Sequence, residues 1–225
     1  MIDFFIPNLI LFIFMKVNEL FYSIQGESTR AGHPCIFVRL TGCNLRCTWC
    51  DTAYAFYEGD EMTSDEILDR VKGYPCRLVE FTGGEPLLQQ EVHPLITQLL
   101  DEDYQVLIET GGSLDLRKVD PRATIIMDIK CPGSGMSDRM RWENIRVLTS
   151  KDEVKFVIKD RQDFDWAVRV IRGHDLTGRC AVLFAPTFGE LEPRPLAQWI
   201  LEEGLKVRLQ LQLHKYIWDP QMRGV

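Results

Sequence analysis

The segment TGCNLRCTWCDT, residues 41–52, contains three of the seven cysteines of the chain. Cys43, Cys47 and Cys50 are separated by three and then by two residues. A structural zinc site takes four ligands, usually from two spaced pairs, and the sequence has no second CxxC pair. Three thiolates leave one coordination position open, and open positions are where metal centres react with substrates.

The spacing alone leaves three kinds of site open. A zinc ion could take a fourth ligand from elsewhere in the chain. Cys47 and Cys50 could form a redox pair that leaves Cys43 unused, or the three thiolates could hold a cubane iron–sulfur cluster with one open iron. The residues that could complete a zinc site are His33, Cys35, Cys76, Cys131 and Cys180.

Composition narrows the class of protein. A chain of 225 residues is of the size of one domain, and its apolar content of 45% is ordinary for a globular protein. The net charge of −7 argues against a nucleic-acid-binding protein, which normally presents a basic face. An odd number of cysteines without a secretion signal indicates a reducing compartment, so we expect a cytoplasmic protein.

The N-terminus differs from the rest of the chain. Residues 1–14 are almost wholly apolar, but they are fewer than the ~20 residues that span a bilayer. They also lack the basic start and the cleavage site of a signal peptide. We therefore expect no membrane segment, a leader at 1–14 that is not part of the natural fold, and one domain at 15–225 that begins with Met15.

Short β-rich runs alternate with helix-period segments after Met15, which predicts a parallel sheet with right-handed crossovers. Thr63 and Glu66 form a capping box at one helix start, and Gly173 and Gly204 are the expected C-caps of two later helices. The predicted fold is α/β, a partial, open (β/α)6-type barrel, with a doubly wound sheet as the alternative. The predicted strands are 35–40, 77–82, 104–109, 124–129, 153–158, 180–184 and 206–213.

Polar residues follow five of these strands. In barrels and in open parallel sheets alike, functional groups collect at the carboxyl ends of strands, so these segments predict a single site. The segments are 41–52, 82–86, 109–110, 128–130 and 214–215.

Two motifs resemble those of radical S-adenosylmethionine enzymes. One is the Cys-x₃-Cys-x₂-Cys spacing with Trp49 before the last cysteine, and the other is TGGEP at 82–86. The resemblance implies a [4Fe-4S] cluster bound by Cys43, Cys47 and Cys50, with S-adenosylmethionine on the fourth iron. It further implies that the reduced cluster cleaves this cofactor to a 5′-deoxyadenosyl radical, which abstracts a hydrogen atom from substrate. That superfamily folds as a partial barrel, in agreement with the strand pattern.

Two further segments, FYSIQGEST at 21–29 and LQLHKYIWDPQMRGV at 211–225, resemble the 7-carboxy-7-deazaguanine synthases. The resemblance extends from about residue 15 to residue 225. It implies ring contraction of 6-carboxy-5,6,7,8-tetrahydropterin with loss of ammonia, in 7-deazapurine (queuosine) biosynthesis. It also implies catalytic use of S-adenosylmethionine, help from Mg²⁺, a flavodoxin or ferredoxin-type electron donor, and a homodimer.

The same resemblance assigns residues. Asp128-Ile129-Lys130 departs from the family's Ser-x-Lys pattern at its first position, and Phe184-Ala185-Pro186-Thr187 matches a cofactor segment only through Pro186. Thr52 matches the Mg²⁺ contact. The substrate residues implied are Ile24, Gln25, Gly26, Arg39, Thr82, Glu109, His214 and Val225, and the S-adenosylmethionine residues are Trp49, Cys50, Asp51, Gly84, Asp128, Ile129 and Lys130.

Arg39 is a charge inside an otherwise apolar strand, so its burial requires a partner. A substrate carboxylate, bound bidentately, is one candidate, and an internal salt bridge to Glu27 or Glu109 is the other.

Two other functions remain alternatives for the whole chain. One is an activating enzyme that installs a glycyl radical on a partner protein, and the other is a zinc- or cluster-stabilised binding module.

Overall fold

A computed structural model describes residues 14–225. The strands are β1 (Phe14–Ile24), β2 (Pro34–Leu40), β3 (Asp60–Thr63), β4 (Leu78–Gly83), β5 (Gln105–Thr110), β6 (Thr124–Asp128), β7 (Glu153–Ile158), β8 (Ala181–Pro186) and β9 (Arg208–Leu209). The helices are α1 (Ser64–Lys72), α2 (Val92–Asp101), α3 (Arg161–His174), α4 (Leu176–Arg179), α5 (Pro193–Glu203) and α6 (His214–Ile217).

All nine strands form one sheet in the order β3-β1-β2-β4-β5-β6-β7-β8-β9. β2 and the strands β4 to β9 pair in parallel, whereas β1 pairs antiparallel with both β2 and β3. Because β3 and β9 stand at opposite ends of this order, the sheet is open. The prediction of a partial, open barrel is confirmed, and the antiparallel pair β1 and β3 extends it on one side.

The sequence located the parallel strands to within two residues, except the last. The predicted strand at 206–213 is wrong, because only Arg208–Leu209 pairs with β8 and His214 begins α6. The predicted C-cap at Gly173 is also wrong. Gly173 lies inside α3, and Asp175 adopts the left-handed conformation (φ 50°) after it. The Thr63–Glu66 capping box and the C-cap at Gly204 (φ 63°) are confirmed.

Strand alternation separates a packed face from a polar face. In β4, Val79 and Phe81 lie in the hydrophobic core, and Glu80 and Thr82 point to the opposite side of the strand, because successive side chains alternate. The same alternation in β5, β6 and β7 brings a polar side chain of each strand to the cleft. The polar side chains on this second face are Glu80, Thr82, Glu109, Asp128 and Lys155. The functional surface is therefore built into the strands as well as into the loops that follow them.

The N-terminal boundary lies at the margin of the described chain. Residues 1–13 of the expected leader lie outside the described residues, and Phe14 is already the first residue of β1, paired with Thr63 of β3. Within residues 14–225, no helix has the length and apolarity needed to cross a membrane.

Candidate active site

The polar face of the sheet opens into a cleft of about 660 Å³, which is within the range of sites for small ligands. The cleft lies where the parallel strands end, as the sequence predicted. Of the predicted site residues, Ile129 is the exception, because its side chain is buried in the core. The others line the cleft: Ile24, Gln25, Gly26, Arg39, Cys43, Cys47, Trp49, Cys50, Asp51, Thr52, Thr82, Gly84, Glu109, Asp128, Lys130, His214 and Val225.

The three cysteines lie on the loop after β2, which we call the cysteine loop (residues 43–50). Their thiols are partly buried, carry no disulfide, and all face the cleft. Thr48 fastens the loop to a neighbouring turn, since its Oγ1 donates to the carbonyl of Gly133 at 2.9 Å. Burial raises the pKa of each thiol, so binding of a metal by these cysteines would release protons.

The residues after β4 pack closely against the start of the cysteine loop. A Cβ placed on Gly84 would lie 2.1 Å from the carbonyl oxygen of Gly42 and 2.8 Å from the Cβ of Cys43. Only glycine allows this close approach of two backbones. The TGGEP motif therefore sets the position of the first cysteine, in addition to whatever it contacts in the cleft.

Glu85 of the same motif was missed as a structural residue. Its fully buried carboxylate accepts hydrogen bonds from Thr110 Oγ1 at 2.9 Å, from the Gly111 amide at 2.8 Å and from the Leu87 amide at 3.2 Å. Burial raises the pKa of Glu85, while these hydrogen bonds oppose the shift. Glu85 thus joins the ends of β4 and β5 next to the cysteine loop.

Lys155 of β7 is the main charged residue that sequence reasoning missed. Its Nζ lies 2.8 Å from Glu27 and 3.8 Å from Asp128, and it forms a close ion pair with Glu109. Burial alone would raise the pKa of Glu27, but the Lys155 charge and hydrogen bonds lower it below its usual value. The sequence signal that could have identified Lys155 is its position inside the largely apolar strand EVKFVI, residues 153–158.

The C-terminal segment closes one side of the cleft. Gln212 Nε2 donates to Glu27 at 2.9 Å, and the amide of Leu213 donates to the carbonyl of Gly26 at 2.9 Å. A Cβ on Gly26 would lie 2.1 Å from Nδ1 of His214, so glycine is required for this contact. Burial lowers the pKa of His214, which favours its neutral form.

Asp51 and Thr52 contact each other at the mouth of the cleft. Thr52 Oγ1 donates to Asp51 at 2.9 Å, and Lys215 Nζ forms an ion pair with the same carboxylate at 2.6 Å. Burial raises the pKa of Asp51, but the Lys215 charge together with hydrogen bonds from Lys215 and Thr52 outweighs burial, and the pKa falls well below its usual range. Asp51 is therefore held as an anion by the C-terminal segment.

Arg39 forms an internal salt bridge, as one of the two alternatives expected, but with a partner that the sequence did not indicate. Its Nε donates to Glu19 at 2.8 Å, across the antiparallel register of β1 and β2, so an internal partner at Glu27 or Glu109 is wrong. The two terminal nitrogens of Arg39 make no hydrogen bond to any residue in the described part of the chain. Because the side chain lines the cleft, those nitrogens suit an acidic group of a ligand.

Several buried polar atoms at the cleft have no protein partner. Asp128 Oδ2 pairs with Lys130 at 2.7 Å, but its Oδ1, like the hydroxyl of Thr187, is buried without a hydrogen bond to residues 14–225. Buried polar groups normally find partners, so these atoms fit a polar ligand such as an amino-acid-bearing cofactor.

Among residues 14–225 no group of three or more His, Cys, Asp or Glu is placed to hold a single metal ion. A cubane cluster instead takes its three thiolates on three different irons, and the cysteine loop offers three thiols along one wall.

Comparison with known proteins gives consistent matches. The Radical SAM superfamily model matches residues 37–173. The chain is 49% identical to 7-carboxy-7-deazaguanine synthase of Chlorobaculum tepidum over 94% of this chain and 97% of that protein. It is 46% identical to 7-carboxy-7-deazaguanine synthase of Koribacter versatilis, over 94% of this chain and all of that protein.

Two solved structures share the fold. The crystal structure of QueE from Escherichia coli has a TM-score of 0.74 at 23% identity and covers 89% of this chain and 95% of its own. Streptococcus suis SuiB bound to S-adenosylmethionine has a TM-score of 0.53 at 12% identity, over 76% of this chain and 44% of its own. The chain therefore belongs to the radical S-adenosylmethionine superfamily and, within it, to the 7-carboxy-7-deazaguanine synthase family.

Proposed function

We propose that the protein converts 6-carboxy-5,6,7,8-tetrahydropterin to 7-carboxy-7-deazaguanine with release of ammonia, in queuosine-type 7-deazapurine biosynthesis. The observation that carries this proposal is that the three cysteine-loop thiols and the Lys155 charge cluster line one cleft. The names of the full-length relatives give the product, 7-carboxy-7-deazaguanine. The substrate, 6-carboxy-5,6,7,8-tetrahydropterin, follows from the resemblance of the sequence motifs to that family. Substrate and product differ by one ammonia, so the reaction has no net oxidation or reduction.

Membership of the superfamily implies a [4Fe-4S] cluster and S-adenosylmethionine. When bound, these supply a 5′-deoxyadenosyl radical that can abstract a hydrogen atom from substrate. Cys43, Cys47 and Cys50 bind the cluster in this proposal. The residues that bind S-adenosylmethionine are Trp49, Cys50, Asp51, Gly84, Asp128, Lys130 and, through its backbone alone, Ile129.

A second group of cleft residues binds the pterin in this proposal. In this proposal the two terminal nitrogens of Arg39, which make no hydrogen bond to residues 14–225, bind the substrate carboxylate, and Glu109 accepts hydrogen bonds from the amino-pyrimidine edge. Lys155 keeps Glu109 in place while leaving its second oxygen, which contacts Thr82 Oγ1 at 3.1 Å, at the cleft. The remaining substrate residues are Ile24, Gln25, Gly26, Thr82, His214 and Val225.

Mg²⁺ binds at Thr52 in this proposal. One hydroxyl is a small share of an octahedral site, but Mg²⁺ commonly keeps waters and substrate oxygens as its other ligands. Asp51 is less suited to the ion, because Lys215 already neutralises it. We further propose a flavodoxin or ferredoxin-type electron donor, a homodimer and a cytoplasmic location.

The test is anaerobic turnover. The reconstituted, reduced protein is incubated with S-adenosylmethionine and 6-carboxytetrahydropterin, and the products are identified by mass spectrometry. We expect 7-carboxy-7-deazaguanine and ammonia in equal amounts, and neither from a variant with Cys43, Cys47 and Cys50 all changed to Ala. Cofactor cleavage without this product would contradict the substrate assignment.

Glycyl-radical activation of a partner protein is not favoured, because the relatives that match over the full length are synthases.

A further inference from the structure

Glu80 is a buried acid of the cleft that neither the motifs nor the proposed roles include. It lies in the middle of β4, two residues before Thr82 and on the same side of the strand, and it is 3% exposed. One carboxyl oxygen, Oε2, accepts a close hydrogen bond from the side-chain amide of Gln25. The other, Oε1, makes no hydrogen bond to any residue from 14 to 225, although Glu80 lines the cleft.

The Gln25 amide is fixed from both sides. Its Nε2 donates to Glu80, and its Oε1 accepts from the backbone amide of Glu27 at 2.9 Å. Gln25 is itself 2% exposed. The Glu27 amide and the carboxyl of Glu80 therefore hold the oxygen end and the nitrogen end of the Gln25 amide in one orientation.

The charges around Glu80 are unbalanced. Glu27, on the segment after β1, and Glu109 of β5 both pair with Lys155 of β7, whereas Glu80 has no ion pair with a described residue. The thiol of Cys35 in β2 also lies close. Burial, and then the charges of Glu109 and Glu27, raise the pKa of Glu80 well above its usual value, against the opposing effects of Lys155 and Gln25.

We propose that Glu80 is a further substrate-positioning residue, which orients the Gln25 amide and presents a neutral O–H donor to an acceptor atom of the bound ring. This inference rests on the proposed function, because it concerns how the same cleft selects its substrate. A neutral carboxyl can donate, whereas the ion-paired Glu109 can only accept. One hydrogen-bond donor, Glu80, and one acceptor, Glu109, line the same cleft. Together they select a heterocycle that has a carbonyl next to ring N–H and amino groups. The 2-amino-4-oxo edge of a pterin has this pattern.

The experiment compares substrate binding by two variants. Glu80→Gln keeps the shape and a neutral donor, and Glu80→Leu removes both. Glu61→Gln, on an exposed glutamate of β3, is the matched control. Binding of 6-carboxytetrahydropterin to the reconstituted protein, without reductant, is measured by calorimetry from about pH 6 to about pH 9. Circular dichroism and iron content establish that each variant is folded and loaded.

We expect the wild-type protein to bind substrate more weakly as the pH rises, because Glu80 then loses its proton. Glu80→Gln should bind independently of pH over the part of the range in which Glu80 titrates. Glu80→Leu should bind on the order of 10- to 100-fold more weakly, the cost of an unmade buried hydrogen bond. Should Glu80→Leu fail to fold, the pH profile of Glu80→Gln alone decides.

Two results would overturn the inference. One is an unchanged pH profile in Glu80→Gln, and the other is a folded Glu80→Leu that binds as the wild type does. Both are separate from failure of the proposed function, which would appear as wild-type protein that forms no 7-carboxy-7-deazaguanine. A wild type that turns over, with a Glu80 that does not affect binding, removes this inference and leaves the function intact.

Discussion

Lys155 Nζ lies 2.8 Å from Oε2 of Glu27, and this contact joins β7 to the segment after β1 across the cleft. The same ammonium pairs with Glu109 of β5. One buried cation therefore pairs with two carboxylates from different parts of the chain. Lys155 thus links elements that line the proposed pterin site.

Changing Lys155→Met should destabilise the fold by about 3–5 kcal/mol, because two half-buried carboxylates lose the buried cation with which they pair. The free energy of unfolding in urea measures the change. Lys206→Met, at an exposed lysine, is the control and should change it little. A Lys155→Met protein with the stability of the control would contradict the account of the charge cluster.

The same variant should change the pH dependence of stability. The folded-state pKa of Glu27 is lowered, so this carboxylate contributes stability that is present above its unfolded pKa and is lost as the pH falls. Without Lys155, burial raises that pKa, and the variant instead loses stability as the pH rises. The difference between the two proteins should therefore grow from acid to neutral pH. A constant difference would show that Lys155 stabilises through packing alone.

Gly84→Ala should lower the iron content after reconstitution. The new Cβ would clash with the backbone of Gly42 and with Cys43, so the cysteine loop must shift. Iron and sulfide per chain, with the visible absorbance of the cluster, give the measurement. Gly173→Ala is the control, because a Cβ there meets nothing within 4 Å and lies in a helix, where alanine is favoured. Equal cluster content in the two variants would contradict this role of Gly84.

Thr52→Ala should lose the stimulation of turnover by Mg²⁺ and keep a full cluster. Thr52→Ser retains the hydroxyl and should retain the Mg²⁺ response. Turnover against Mg²⁺ concentration is the measurement, with iron content as the check on the cluster. If Thr52→Ala still responds to Mg²⁺ as Thr52→Ser does, the ion binds elsewhere, and Asp51 becomes the next candidate.

Arg39→Lys should weaken substrate binding by about 10-fold while leaving cluster content unchanged, because an ammonium cannot reproduce a forked contact with a carboxylate. Calorimetry with 6-carboxytetrahydropterin measures this effect. Arg172→Lys, in an exposed ion pair with Glu203, is the control. Unaltered affinity in Arg39→Lys would mean that Arg39 serves only its pair with Glu19.

The sequence predicted most of the scaffold because its cues are local. Alternating apolar runs located the parallel strands, and the cysteine spacing located the loop that faces the cleft. The missed features depend on pairing between distant segments. Glu19 reaches Arg39 only through the antiparallel register of β1 with β2, which no local pattern specifies. The last predicted strand shrank to Arg208–Leu209 because pairing with β8 ends there.

Buried charges were the remaining gap. Glu80 and Lys155 each lie within a largely apolar strand, and their proximity is evident only when the sheet brings them to one face. The argument that a charge inside a buried strand requires a partner was applied to Arg39 alone. Applied to every strand, the same argument would have identified Glu80 and Lys155, because unpaired burial of a charge is costly wherever it occurs.

We propose that these residues would bind S-adenosylmethionine for catalytic use, so that one molecule of the cofactor would serve many turnovers. The direct measurement is the ratio of 7-carboxy-7-deazaguanine to 5′-deoxyadenosine formed by the reduced wild-type protein with excess substrate. We predict a ratio well above equimolar, because the reaction has no net redox change. Product that never exceeds 5′-deoxyadenosine, or cofactor cleavage without product, would contradict the account.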